Sequence, residues 1–589
     1  MILQALTDYY HVLEREGKIA APGWGPVKVS FALELGDDGT LEQVISIQTE
    51  QQKGKKTVIA PQIISLPAPV KRTVGVAANF LCDNSGYMLG IDAKGKPQRT
   101  RECFDACRAL HEQLLDGVDS PAARAVLAFF RTWDPEQTRE HPALAEQLDD
   151  VLAGGNLVFR TAEGYVHNDP AVRQAWENHY NAAGDGPQGI CLVTGEYGPV
   201  EAVHPAIKNV AGAQSSGAAL VSFNAPAFCS YGKEQNLNAP TGKSAAFAYT
   251  AALNHLLADR DHVYRVGDAT VVCWAKGGKD AYTSLFSGFA FDAPVPYSFS
   301  DLQGMVKRLC GGNHVEYDAE LLDPDMEFYI LGLSPNAARL SVRFFLRNTF
   351  GGFLRNVQAN QDRLEIVRPA YDKFETLPLW KLLSETVNQN SRDKSPAPDL
   401  AGEVLRAILN DTLYPATLLN GVTLRIRAEH EITRGRAAII KAYYKKLAEV
   451  TERENPDIPE EVLQVSLNET SANIPYTLGR LFSVLEAVQA SANPGINATI
   501  KDKYFNSAAA TPAVIFPILI NLAQKHLKKL KGSNAGLVIF YDKQLTDLCS
   551  RIGESYPAHM SLPQQGSFQL GYYHQTQARY QKKEENENV

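Results

Sequence analysis

Cysteine is scarce in this chain: eight in 589 residues, with only Cys103 and Cys107 close together. That spacing supports no disulfide framework and fits a reducing compartment, so a cytoplasmic protein is expected. Long apolar runs are lacking too. The longest, 512–522, contains two prolines and falls short of the roughly 20 residues that span a bilayer, so it is expected to be a buried helix and no membrane anchor is expected. Asp8, Glu14 and Glu16 occupy an N-terminus where an export signal needs a basic start and an apolar core, so none is expected. A large charge of one sign is also missing, at a net −8 with 21% charged and 44% hydrophobic residues. This is globular usage and excludes a disordered chain. The length allows about four domains, each large enough for a core.

The total charge hides its distribution. Residues 331–450 carry 18 Lys/Arg against 12 Asp/Glu, a basic island between acidic flanks. From Asn468 onward 12 Lys/Arg face 9 Asp/Glu, and the acidic, proline-containing run 452–461 reads as a boundary. Apolar spacing predicts a helix over 2–16, and alternation predicts a strand over 27–35 turning at 36–39 into a second strand around 44–47. Ser120-Pro and Asp169-Pro are start signals for helices through Phe130 and Trp176. Short strand-like runs follow at 190–193, 219–223, 270–275 and 328–333. Helical patterns dominate after Phe350. The expected class is α+β: a mixed α/β region with short strands over 1–345, a basic and mainly helical region over 346–460, and a helical bundle over 461–589.

Signals for catalysis are weak. Ala239-Pro-Thr-Gly-Lys-Ser244 has the Gly-Lys-Ser end of a phosphate loop, but Leu237 stands where the leading glycine belongs and no strand feeds it. A nucleotide-dependent enzyme around Gly242-Lys243-Ser244 is the alternative reading. Ser215 and Ser216 precede an apolar run instead of following a strand, the wrong order for a nucleophile elbow. Cys103 and Cys107 have no second Cys/His pair at zinc-like spacing. No cofactor, metal or catalytic residue is expected.

Polar, glycine-punctuated stretches are what stand out. One runs from Lys71, Arg72 and Thr73 through Asn79 to Asn84. The other includes Gln214, Ser215, Ser216, Asn224, Lys233, Asn236 and Asn238. Such side chains beside glycines can approach base edges or phosphates closely, and they can equally make ordinary turns.

Several runs carry a wider resemblance. The opening MILQALTDYYHVL, Phe80-Leu-Cys-Asp-Asn84, the run 191–240, Tyr329-Ile-Leu-Gly-Leu-Ser-Pro-Asn336, Leu478-Gly-Arg-Leu-Phe482, Asn497-Ala-Thr-Ile500 and Tyr504-Phe505 together resemble the large subunit of the type I-C CRISPR surveillance complex, Cascade, nearly end to end. The resemblance implies a non-catalytic subunit of an RNA-guided antiviral complex. Its partners would be CRISPR RNA, target double-stranded DNA and its displaced strand, the backbone, RNA-processing and small subunits, and a helicase-nuclease recruited in trans. It also implies recognition of the motif flanking the target (PAM), to which the two polar stretches are assigned, and support of R-loop formation. Guide pairing reads the sequence in such complexes, so a few polar loops and a basic region suffice despite an acidic total. In the basic island, Arg425, Arg427, Arg434, Arg436, Lys441, Lys445 and Lys446 lie among Tyr443 and Tyr444 and are expected to hold a strand backbone; a solvated helix face is the competing reading.

The C-terminal bundle resembles the complex's small subunit. A separate product would need a start other than methionine, because Met1, Met88, Met305, Met326 and Met560 are the only methionines. Val462 and Val465 are the best-placed candidates.

Overall fold

The computed structural model describes residues 1–53, 56–70, 75–93, 95–181, 187–223, 225–259, 263–392 and 394–587. Two compact units make up the chain: Met1–Ile207 with Val221–His255, and Lys208–Leu220 with Leu256–Val589.

In the first unit, helix α1 (Ile2–Arg15) buries Leu6, Tyr9, Tyr10 and Leu13, the helical spacing expected. The strands β1 (Trp24–Val29), β2 (Phe31–Leu35), β3 (Leu41–Ser46), β4 (Thr49–Lys53), β5 (Lys56–Ala60) and β6 (Gln62–Pro67) follow. The single strand expected over 27–35 is broken at Ser30. Its N–H donates to the Asn156 carbonyl at 2.9 Å and its carbonyl accepts from Ile47 N at 3.0 Å, so β1 leaves to pair with β6 while β2 enters a five-stranded sheet. That sheet runs β3-β2-β8-β7, with β7 (Cys82–Asn84), β8 (Asn156–Thr161) and β9 (Gly164–Tyr165) paired to β8; β2 and β8 are parallel. Phe31, Leu33 and Phe159 join one apolar cluster, and Ala32 and Val158 join another with Val27, Val29 and Leu66. Both faces of the sheet are therefore covered.

The helices α2 (Ser85–Met88), α3 (Pro97–Leu115), α4 (Pro121–Thr132), α5 (Leu148–Ala153) and α6 (Pro170–Asn181) come next, and α4 and α6 begin at the two expected start signals. Ser120 Oγ accepts from Ala123 N, Asp169 Oδ1 accepts from Ala171 N and Val172 N, and Ser120 Oγ donates to Asp169 Oδ2 at 2.8 Å. The two caps thus hold each other. Strand β10 (Gln188–Ile190) pairs with β11 (Tyr197–Pro199), and α7 (Lys243–Ala258) closes the unit. The strand expected over 190–193 ends at Ile190 because Cys191 starts a turn, its Sγ accepting from Val193 N and Thr194 N at 3.4 Å each.

The second unit pairs β12 (Val263–Val266), β13 (Ala269–Ala275), β16 (Glu327–Asn336) and β17 (Arg339–Thr349) in that order, all antiparallel. Between β13 and β16 come α8 (Asp280–Phe291), α9 (Phe299–Cys310) and the hairpin β14 (Val315–Tyr317) and β15 (Glu320–Leu322). The run 219–223 is not a strand; Ala219 makes one isolated bridge to Arg339. Among the described residues, ten α-helices follow: α10 (Phe350–Leu364), α11 (Leu379–Ser384), α12 (Pro398–Asn410), α13 (Ala416–Glu429), α14 (Arg434–Thr451), α15 (Ile474–Ala492), α16 (Ile500–Ala510), α17 (Pro512–Lys531), α18 (Ala535–Ile552) and α19 (Leu562–Glu587). The class is α+β as expected, with strands concentrated early and helices late.

The unit boundaries fall at neither 345 nor 460, because one apolar cluster runs from Phe328 and Ile330 through Phe353, Leu354 and Ile440 to Leu481, Phe482 and Phe568. Val367 N donates to Val465 O, and Tyr573 Oη donates to Val367 O, both at 2.7 Å. Helix α15 is the centre of the C-terminal bundle, with 14 of its 19 residues buried. The run 512–522 is only half buried: α17 carries Pro517 within it and leaves Val514 63% and Ile518 48% exposed.

Buried histidines are expected to make the fold acid-sensitive. His111, on α3, donates through Nδ1 to Cys107 O at 2.8 Å and accepts through Nε2 from Leu81 N at 2.9 Å. Burial pushes its pKa down to about 4, and those of His167 and His204 likewise. The unfolded chain therefore takes up protons first, and this contribution is whole above the unfolded value of roughly 6.5 and is lost as pH falls toward 4. The melting temperature is expected to drop across that window, with a shallower drop in His111→Gln. An identical slope in the variant would rule His111 out as a source.

Candidate nucleic-acid interface

Lys71, Arg72 and Thr73 lie outside the described residues, as does Asn224. Asn79 is turned to local work: its Oδ1 accepts from Val70 N at 2.9 Å, and its N–H donates to Asp83 Oδ2 at 3.0 Å. Asn84 caps α2 by accepting from Gly86 N at 3.1 Å, yet it remains exposed.

The second polar stretch is divided between the units. Gln214, Ser215 and Ser216 are exposed on a turn of the second unit, closed by Gly217 N donating to Gln214 O at 2.9 Å. Lys233, Asn236 and Asn238 belong to the first unit, and they do different things. Asn236 is 2% exposed, so it faces inward and not toward a base edge. The Asn238 amide is used up in its own loop, with Oδ1 accepting from Ser230 N and Nδ2 donating to Lys233 O and Gln235 O. These contacts hold a backbone in which Tyr231 (φ 54°), Gly232 (φ 65°) and Gln235 (φ 46°) are all left-handed. For the non-glycine residues Tyr231 and Gln235 such strain costs on the order of 1 kcal/mol or more each and persists only where neighbours enforce it. Lys233 and Tyr231 are held outward, Tyr231 at 99% exposure. Tyr231 was not among the sequence candidates, although its place beside Gly232 and Lys233 marks it.

The basic island is corrected most. Arg434 is 8% exposed; its Nη1 meets Asp372 Oδ2 at 3.1 Å and Phe374 O at 2.6 Å, and its Nη2 donates to Glu375 O. Arg436 is 2% exposed between Glu385, Glu429 and the Glu431 carbonyl. Lys446 is buried against Asp411 and Glu449. Lys441 Nζ donates to Arg363 O at 2.9 Å, and burial, with Lys445 nearby, pushes its ammonium down to about 8. Arg425 pairs with Glu429 and Lys445 with Glu460, while exposed Arg427 donates to Gln565 Oε1. Arg434, Arg436, Lys441 and Lys446 are thus interior groups, buried because α14 packs against α10 and α19 and carries its cations into that packing.

An exposed basic surface lies elsewhere. On α17, Lys525, Lys528 and Lys531 are exposed at three-residue spacing while Leu527 and Leu530 point inward. Among the described residues none of these three lysines forms an ion pair, and neighbouring Lys529 donates to Asn493 Oδ1. The repeat Lys-His-Leu-Lys-Lys-Leu-Lys, read at a helical period, was the available signal.

The Gly-Lys-Ser run does not make a phosphate loop. Residues 235–238 ahead of it are a single 3₁₀ turn, and Lys243 Nζ donates to Tyr180 O at 2.8 Å while lying 4.0 Å from the centre of the Tyr180 ring. The lysine that a phosphate would need is held inside its own unit.

A family model described as CRISPR-associated protein (Cas_Csd1) matches residues 6–580. The chain belongs to this CRISPR-associated family, in agreement with the type I-C Cascade large-subunit resemblance. No curated protein matches it. Among the described residues no helix is long and apolar enough to cross a membrane.

Proposed function

We propose that the protein is a non-catalytic, cytoplasmic subunit that recognises the target-flanking motif in duplex DNA, supports R-loop formation and recruits a helicase-nuclease, working with CRISPR RNA and the backbone, RNA-processing and small subunits. The observation that supports this best is the loop 229–238, which presents an aromatic ring and a lysine on a backbone fixed by Asn238. A fixed lysine suits a phosphate, and an outward ring suits insertion between or stacking on bases. Asn84, Gln214, Ser215 and Ser216 are the exposed amides and hydroxyls left to read base edges. Lys71, Arg72, Thr73 and Asn224 stay in the proposal on their sequence context alone. For the displaced strand, the α17 lysines replace the buried members of the basic island.

The test is duplex binding by the assembled complex with permuted flanking motifs. Lys233→Ala is expected to weaken all sequences alike and lower the salt slope by about one, whereas Asn84→Ala or Gln214→Ala should relax motif preference at a cost of about 1–3 kcal/mol. Reversal of charge at Lys528 and Lys531 together should impair stable strand opening more than first binding, since backbone contacts tip a nearly balanced strand exchange. Unchanged motif preference in every loop variant would overturn the assignment of the reader.

A further inference from the structure

A cavity of about 280 Å³ opens in the C-terminal bundle between α15, α18 and α19. Four cations line it, Arg480, Lys543, Arg551 and Arg579, against two carboxylates, Glu469 and Asp547. Arg551 is already matched, meeting Asp547 at 3.0 Å. Arg480 is not. It is 5% exposed, its Nε donates to Gln575 Oε1 at 3.0 Å, and its Nη1 donates to the carbonyls of Asn468 and Glu469 at 3.2 and 3.0 Å. Those acceptors are neutral; Glu469 and Asp547 attract the guanidinium through space, but among the described residues no carboxylate forms an ion pair with it. Arg579, half-buried at the rim, likewise has a neutral acceptor, the Ser483 carbonyl at 3.4 Å, and lies 5.2 Å from the centre of the Tyr580 ring.

A buried cation without a counter-charge is costly unless an anion completes it. Elsewhere in this unit Arg363, Arg434, Arg436 and Lys446 are each buried with a carboxylate, while buried Lys441 donates to the Arg363 carbonyl. Of these buried cations it is Arg480 that lines the cavity. One wall is Phe540, 48% exposed, which offers a flat apolar surface next to the cations.

We propose that this cavity binds a nucleotide unit, with its phosphate toward Arg480 and Arg579 and its base against Phe540. Guanidinium forks match phosphate oxygens, and base–aromatic stacking tolerates any base. A free nucleoside monophosphate and a nucleotide within a single strand share this chemistry. The site is independent of the flanking-motif reader, and its test involves no duplex.

Calorimetric titration of the full-length protein with 5′-AMP, inorganic phosphate and adenosine tests it. AMP should bind saturably, with phosphate and adenosine each at least about tenfold weaker, because each lacks one half of the recognition. Arg579→Gln and Phe540→Ala, both at the accessible rim, should each weaken AMP about tenfold while melting at the wild-type temperature. Displacement of AMP by a 5′-phosphorylated tetranucleotide would assign the site to a strand, and failure to displace would assign it to a free nucleotide; either outcome supports the nucleotide site. Absence of saturable AMP binding, phosphate binding as tightly as AMP, or unchanged binding in both variants would overturn it.

Discussion

Gly571→Ala is expected to force α15 and α19 apart and to destabilise the C-terminal bundle by about 3 kcal/mol or more, at the severe end of overpacking. A β-carbon at Gly571 would stand 2.1 Å from Tyr476 O, and one at Gly479 would stand 1.9 Å from Phe568 O. Neither obstacle is a side chain that could rotate away, because both are backbone carbonyls of the facing helix. The helices must separate, and the Phe482–Phe568 contact, with ring centres 5.9 Å apart, opens with them. Hydrogen exchange should show protection lost first in α15 and α19, and thermal melting should fall. Gly553→Ala is the control for glycine replacement as such, since nothing lies within 4 Å of its β-carbon position, though its own φ of 82° carries a local strain. Equal stability of Gly571→Ala and wild type would mean that the helices do not cross this closely.

Arg436→Ala should cost about 3–5 kcal/mol, because removing one side of a buried ion pair leaves the other uncompensated. Glu385 and Glu429 would remain in the interior, and burial already raises the Glu385 pKa against the pull of Thr433 and Arg436. Adding Glu385→Gln should restore part of the loss by removing one stranded charge. Denaturant unfolding of the single and double variants measures this. A DNA-strand contact predicts the opposite pattern: strand opening impaired, with unfolding stability unchanged within about 0.5 kcal/mol. That result would return Arg436 to the nucleic-acid surface and refute its structural role.

These two sites show where reading the chain stops. Local signals were legible because their causes are local. The 2–15 helix spacing, the Ser120 and Asp169 caps and the alternation of 31–35 each depend on neighbours a few residues away, and they appear in the structure where expected. The break at Ser30 was not legible, since it is made by Asn156 and Ile47, one of them more than a hundred residues distant. The Arg436 environment is likewise non-local. A run of arginines and lysines looks the same whether solvent or carboxylates surround it, and only the packing of α14 brought Glu385 to Arg436 and Asp411 to Lys446. The same packing left the α17 lysines outside.

The sequence by itself determined the α+β class, the helix starts and the family, because composition, short-range periodicity and ordered motifs survive without coordinates. Tertiary structure alone decided which polar residues face water. Exposure depends on what the rest of the chain places against a side chain, and so Asn236 turned inward, Tyr231 turned outward, and Arg480 came to lie beside a cavity with only neutral hydrogen-bond acceptors.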